Sequence, residues 1–265
     1  MRNMTASRGL SQDMMPFRLR HRLLLMSLGV LLRSVVVAGE PLALSGPERV
    51  SLIELYTSEG CSSCPPADRW LGALRSDDGL WTHVVPVAFH VTYWDNLGWP
   101  DRFASADFTR REYAYAARWG SRSVYTPCFV RDGSEWRPSE GGASTRADRP
   151  GVLRVVRGEG DRYEVRFSPS RPLAPGYRAT VALLGGGIVS RVKAGENSGS
   201  TLGHEFVVVA LQSTDLAEDG SGGVAGGVVL QEPPGAPFPR LSVAAWIEGR
   251  GSLEPLQAAG GWLRR

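Results

Sequence analysis

Hydrophobic and polar positions give the chain two different textures. Up to about residue 140, apolar runs alternate with segments in which apolar positions recur at helical spacing. The runs at 50–56 and 84–91 predict strands, the first of them covered on both faces, and the segments from Pro65 and Ser105 predict helices. Strands alternating with helices predict an α/β domain, to which we assign residues 47–140.

Beyond this part, the pattern changes to short alternating or apolar runs separated by glycine, proline and aspartate. Six such runs fall between residues 152 and 247. This spacing predicts an all-β, sandwich-like module over residues 152–265. The polar, Gly/Pro-rich stretch before it predicts a linker over residues 141–151.

The amino terminus has the pattern of an export signal. Arg18, Arg20 and Arg22 flank an apolar stretch at 23–32, and small residues at 36–38 offer a cleavage site, so residues 1–38 are predicted to be a signal peptide. The stretch is too short to span a bilayer. We therefore expect a periplasmic or secreted protein without a stable membrane anchor after cleavage.

Charge gives no indication of a nucleic-acid partner. The formal charge is +3, but residues 1–38 carry a net +5, so taking +5 from +3 leaves −2 for the remainder. A nucleic-acid footprint needs a clustered basic face, which this composition does not favour.

The chemistry of the chain is concentrated in Cys61-Ser62-Ser63-Cys64, which follows the first strand and precedes a helix that begins at Pro65. A thiolate at Cys61 would be favoured by the unpaired N–H groups and the dipole of the first helical turn. Cys64 lies one turn further, where it could attack a mixed disulfide formed at Cys61. In this context the pair predicts a thiol–disulfide site.

Five stretches carry a resemblance to a known family: residues 54–68, residues 93–95 with 98–99, residues 120–127, residues 192–197 and residues 241–247. They resemble an uncharacterised family of secreted bacterial thioredoxin-like proteins, domain of unknown function 1223. The resemblance implies the thioredoxin-like fold, a mixed sheet flanked by helices. It also implies that Cys61 is the nucleophile, Cys64 the resolving cysteine and Pro127 a cis-proline.

Further candidates surround the cysteine pair. Glu54, in the strand before the pair, could relay the Cys64 proton, or could be a strand-end residue that faces solvent or pairs with an arginine. Thr126 and Pro127 would present backbone to a bound chain. Trp94 belongs to the aromatic loop, residues 92–101, which could form a substrate rim or could only pack around a turn.

Three functions remain open from the residues alone. The leading one is thiol–disulfide exchange with a protein or small molecule that bears thiols or a disulfide, with no cofactor. The second is binding of copper or zinc by Cys61 and Cys64 with Cys128 or His90, because thiolate and imidazole suit these metals. The third is a non-catalytic adaptor in which the disulfide is structural.

Overall fold

Long β-strands account for most of the regular structure of the protein. The computed structural model describes residues 40–140, 148–172, 176–234 and 238–264. The predicted signal peptide and residues 141–147 of the predicted linker lie outside the described residues. The helices are α1 (Pro65–Ala73) and α2 (Ala106–Arg118), and the strands are β1 (Ala43–Leu44), β2 (Ser51–Thr57), β3 (Val84–His90), β4 (Cys128–Arg131), β5 (Ser134–Trp136), β6 (Gly151–Arg157), β7 (Arg162–Pro169), β8 (Tyr177–Gly186), β9 (Ile188–Arg191), β10 (Thr201–His204), β11 (Val207–Asp215), β12 (Ala217–Glu218), β13 (Val224–Val229), β14 (Arg240–Gly249) and β15 (Pro255–Trp262).

An eight-stranded mixed sheet forms the centre of the molecule. Its strand order is β15-β14-β8-β11-β3-β2-β4-β5. Strand β3 is parallel to β2 on one side and to β11 on the other, where Ala88 is the partner of Val207. The remaining strands form a five-stranded sheet, β1-β6-β7-β13-β12, and the two-stranded ribbon β9–β10.

The predicted fold class, a helix-flanked thioredoxin-like α/β domain followed by a separate all-β sandwich, is wrong. The described residues are mostly β, with only two α-helices. Three of the strands expected in the second module, β8, β11 and β14, extend the sheet that contains β2 and β3. Hydrophobic runs located these strands, but such runs do not specify the strand to which each one pairs.

The two helices pack on opposite faces of the sheet around β2. Every residue of β2 is buried, as predicted. Trp70 of α1 contacts Phe129, which is paired with Leu55, whereas Tyr115 of α2 contacts Tyr56. Successive strand residues point to opposite faces, so Leu55 and Tyr56 face different helices.

A second hydrophobic core lies between the two large sheets. On β14, Val243, Ala245 and Ile247 join this core, while Ala244 and Trp246 belong to the core that includes the helices. Burial on both faces explains why β14 is almost continuously apolar. Among the described residues, no helix has the length and apolar character needed to cross a bilayer.

Candidate functional site

A disulfide joins Cys61 and Cys64 at the start of α1. Their Cα atoms are 5.4 Å apart, and Cys64 is the N-cap residue of the helix. Two tight turns bring the pair there, because the Cys61 N–H donates to the Ser58 carbonyl and the Cys64 N–H to the Cys61 carbonyl, both at 3.2 Å. Pro65 fits the first helical position, where no intrahelical N–H bond is lost.

Both cysteines are completely buried. Cys61 and Cys64 each have 0% relative exposure, although Ser62 and Ser63 between them are exposed. The Cys61 sulfur lies 3.9 Å from the Thr126 carbonyl oxygen and 3.4 Å from the Ser63 hydroxyl. A thiol from outside can therefore reach the disulfide only after part of this cover moves.

The predicted substrate-binding residues meet beside Cys61. The Thr126–Pro127 peptide bond is cis. Trp94 donates its indole N–H to the Thr126 hydroxyl at 2.7 Å. A Cβ atom at Gly60 would lie 3.0 Å from the Trp94 Cβ, so the absence of a side chain at Gly60 lets the indole approach the cysteine turn.

The loop between β9 and β10 holds the cysteine turn from another side. Asn197 donates to the carbonyl oxygens of Glu59 and Cys61, both at 2.9 Å. Glu196 accepts from the Ser62 N–H at 3.1 Å, and its hydrogen bonds with Ser62 lower the pKa of this carboxyl. In the sequence, residues 192–197 carry only the family resemblance, and no motif among them indicates a role at the site.

Behind the cysteine turn lies a buried cluster of ionisable side chains, which we call the acid–histidine cluster: Glu59, Asp68, His90, Asp101 and His204, each no more than 9% exposed. His90 Nδ1 is 2.6 Å from Asp101, and His204 Nε2 is 3.3 Å from Glu59 without hydrogen-bond geometry. The two imidazole rings contact each other, with centroids 5.3 Å apart. The sequence interpretation missed this pairing because it assigned the two histidines to different modules.

The pKa values of the carboxyl groups in this cluster shift in different directions. Burial opposes charge on His90, but Asp101 outweighs it and raises the pKa of the imidazole. Burial also opposes charge on Asp101, yet His90 lowers the pKa of this carboxyl overall. For Glu59, contacts with His204 and Ser190 likewise outweigh burial and lower its pKa.

The pKa of Asp68 shifts in the opposite direction from those of Asp101 and Glu59. Burial raises the pKa of its carboxyl, and the favourable influence of His204 and His90 offsets this only in part. Its hydrogen-bond donor is the Thr57 hydroxyl at 3.2 Å. Four cluster atoms, Glu59 Oε1, His90 Nε2 and both ring nitrogens of His204, are buried without a hydrogen-bond partner.

Glu54 occupies a different environment from the one a proton relay to Cys64 requires. It accepts hydrogen bonds from Arg111 at 2.7 and 3.1 Å and from the hydroxyls of Tyr115 and Tyr56 at 2.6 and 2.9 Å. Arg111 also pairs with Glu248 at 3.0 Å. None of these bonds reaches either cysteine, and the arrangement matches the arginine pairing that was the alternative interpretation of Glu54.

The residues considered for metal binding are dispersed. Cys128 is a buried free thiol whose pKa burial raises to about 12, and His90 is engaged by Asp101. Across the described ranges, no three His, Cys, Asp or Glu side chains lie close enough together to hold a metal ion. In the disulfide form, Cys61 and Cys64 have no thiolate to offer as ligands.

Two solved structures resemble the chain. One is the crystal structure of a protein from Agrobacterium tumefaciens from a structural-genomics programme, with 23% identity and a TM-score of 0.54 over 82% of this chain and 95% of that one. The other is HBP35 of Porphyromonas gingivalis, with 13% identity and a TM-score of 0.58 over 82% of this chain and 76% of that one. At these identities the likeness concerns the fold alone.

Comparison with curated proteins finds no match. The model of a protein family of unknown function, DUF1223, matches residues 52–226, which include the cysteine pair, the cis-proline, the aromatic loop and the loop that carries Asn197. The chain therefore belongs to the DUF1223 family.

Proposed function

We propose that the protein is an exported thiol–disulfide oxidoreductase that uses Cys61 and Cys64. One observation carries the proposal: the disulfide lies at a helix start, with Cys61 in contact with the carbonyl oxygen of Thr126 in a cis Thr126–Pro127 peptide. The helix start favours the thiolate that exchange requires. Backbone at the cis-proline can pair with the chain that carries a substrate thiol.

In the forward reaction, a substrate thiolate attacks the Cys61 sulfur. The bond between Cys61 and Cys64 breaks, its electron pair passes to Cys64, and a mixed disulfide joins Cys61 to the substrate. A second substrate thiol then attacks this mixed disulfide and releases Cys61. The substrate is oxidised to a disulfide, and the two cysteines are reduced; the reverse sequence reduces a substrate disulfide.

A structural disulfide is the competing function, and the complete burial of both cysteines favours it. The ring closed by the bond is short, since the two residues are three apart in sequence. A short ring removes little conformational entropy from the unfolded chain, so it contributes little to stability. This argument supports exchange over a purely structural role.

The deciding experiment measures exchange with a protein substrate together with the redox equilibrium of the pair. The purified protein should catalyse insulin reduction by dithiothreitol, and Cys61→Ser should abolish this activity. Cys128→Ser is the matched control, because Cys128 is a buried free thiol and should leave activity intact. A potential below about −300 mV with no insulin reduction would establish a structural disulfide instead.

The proposed setting is the periplasm or the exterior. The amino-terminal arginines, apolar stretch and small residues support export, and disulfides persist in that compartment. The proposed partners bear thiols or disulfides. Expression of the full chain followed by cell fractionation tests the setting, and recovery of the uncleaved protein in the cytoplasm would contradict it.

A further inference from the structure

Cys64 is the leaving group when the disulfide opens, and it is fully buried. A thiolate formed there has no water to solvate it, so its formation is costly unless a proton arrives with the electron pair. Glu54 cannot readily supply that proton, because its oxygens are occupied by Arg111, Tyr56 and Tyr115. The proposed reaction therefore needs a proton donor other than Glu54.

Asp68 has the required position. The Asp68 N–H donates to the Cys64 carbonyl at 3.1 Å, which is the i to i−4 bond of the first turn of α1. Side chains four residues apart lie on one face of a helix, with Cβ atoms about 5–6 Å apart. Since both residues are buried, they occupy the same interior side of α1.

We propose that Asp68 is the acid–base partner of Cys64 in thiol–disulfide exchange. This inference rests on the proposed function of the cysteine pair. As a substrate thiolate bonds to Cys61, the Sγ–Sγ bond breaks and its electrons pass to Cys64. Asp68 gives its proton to Cys64 and becomes a carboxylate; in the reverse direction Cys64 returns the proton and attacks the mixed disulfide.

The groups that surround Asp68 suit this role. The Thr57 hydroxyl, from the end of β2, donates to its carboxyl, and His90, His204 and Asp101 act on it electrostatically from β3, β10 and the aromatic loop. Burial keeps the pKa of Asp68 above its usual value, so a protonated form persists to higher pH than for an exposed aspartate.

One residue, Phe103, contacts both histidines of the cluster and lines an open cleft. Phe103 stacks edge-on against His90 at 5.5 Å and against His204 at 6.3 Å. The same Phe103 lines an open cleft of about 890 Å³ on the side of Arg102 and Ile188. The histidine rings therefore lie directly behind a residue of the cleft wall.

The test follows the Cys64 thiol directly, without requiring turnover. In the phosphine-reduced protein labelled with [¹³Cβ]cysteine, the Cys64 signal of the wild type should show a titration step from Asp68 besides the steps of the two thiols, and Asp68→Asn should lack the Asp68 step. Reduction of the disulfide by dithiothreitol should slow by about 100-fold in Asp68→Asn, the lower end of general acid catalysis. Asp132→Asn is the matched control, because Asp132 is also a buried aspartate with a raised pKa but bonds Ser51 and Leu52 instead.

Identical titrations and reduction rates in Asp68→Asn and the wild type would overturn the proposal. If Asp68→Asn does not fold, Thr57→Val decides the question. That variant removes the hydroxyl that stabilises the Asp68 carboxylate, so the Asp68 step should move to higher pH, and an unmoved step would refute the proposal. Failure of insulin reduction would remove the proposed function but would leave the Cys64 titration measurable, so the two failures are distinguishable.

Discussion

Replacing Arg111 by methionine should show whether the ion pair of Arg111 with Glu54 contributes to the stability of the protein. Arg111 lies between two buried carboxylates, Glu54 and Glu248, whose side chains are 1% and 4% exposed. It donates two hydrogen bonds to Glu54 and one to Glu248. Methionine fills similar space but leaves both carboxylates without their cation.

The expected loss of stability follows from this geometry. Removing one partner of a buried ion pair costs about 3–5 kcal/mol, because the remaining charge is buried without compensation. For a chain of this size, 1 kcal/mol corresponds to about 2–4 °C in Tm. Arg111→Met should therefore lower Tm by roughly 6–20 °C, combining these two ranges.

Thermal unfolding monitored by circular dichroism gives the measurement. Arg118→Met is the control, because Arg118 pairs with Glu254 at the surface, where such pairs contribute about 0–1 kcal/mol. Equal Tm values for Arg111→Met and Arg118→Met would refute the reasoning. A change in the Cys64 titration caused by Glu54→Gln would restore Glu54 as a relay candidate.

Three other predictions concern the surroundings of the cysteine turn. Gly60→Ala should displace Trp94 and lower the free energy of unfolding by about 1–3 kcal/mol, since the new Cβ would lie 3.0 Å from the Trp94 Cβ. Gly203→Ala is the control and should cost far less, because nothing lies within 4 Å of a Cβ atom at Gly203. Equal unfolding free energies for the two variants would contradict this prediction. In the oxidised protein, Cys128 should resist a thiol reagent at pH 8, because burial raises the pKa of its thiol to about 12. After denaturation, one thiol per chain should react. Rapid reaction of the folded protein would contradict this prediction. Burial raises the pKa of Glu112 from 4.5 to about 7, so the folded protein favours the protonated carboxyl, and the free energy of unfolding should fall by about 3 kcal/mol as the pH rises from 4.5 to 7. Denaturant unfolding of Glu112→Gln should lack this pH-dependent loss of stability. An unchanged pH profile in Glu112→Gln would show that Glu112 does not cause the loss.

The sequence was sufficient to locate the local part of the site. A strand followed by a polar turn, two cysteines and a proline pair predicted the helix start, which the structure places at Pro65. The family resemblance implied the cis peptide at Pro127, and the structure contains it. These features depend on residues close together in the chain, where turn chemistry and capping determine the conformation.

The sequence was insufficient wherever the site depends on distant segments. Asn197 bonds backbone near Cys61 from more than 130 positions away, and His204 reaches Glu59 from the ribbon β9–β10. Hydrophobic periodicity does not indicate such contacts, because they depend on which strands pair with each other and not on where each strand lies in the sequence. The same limitation explains the wrong fold class: the runs that form β8, β11 and β14 were recognised as strands, but their partners were not.

The position of β3 between β2 and β11 has a consequence for synthesis of the chain. Its neighbour β2 comes shortly before it in the sequence, but its other neighbour, β11, emerges from the ribosome only after more than a hundred further residues. Throughout that interval, one edge of an almost wholly apolar strand has unsatisfied backbone groups and can pair with another chain. Nascent chains should therefore need protection from aggregation until β11 arrives, and truncation after residue 140 should yield insoluble protein.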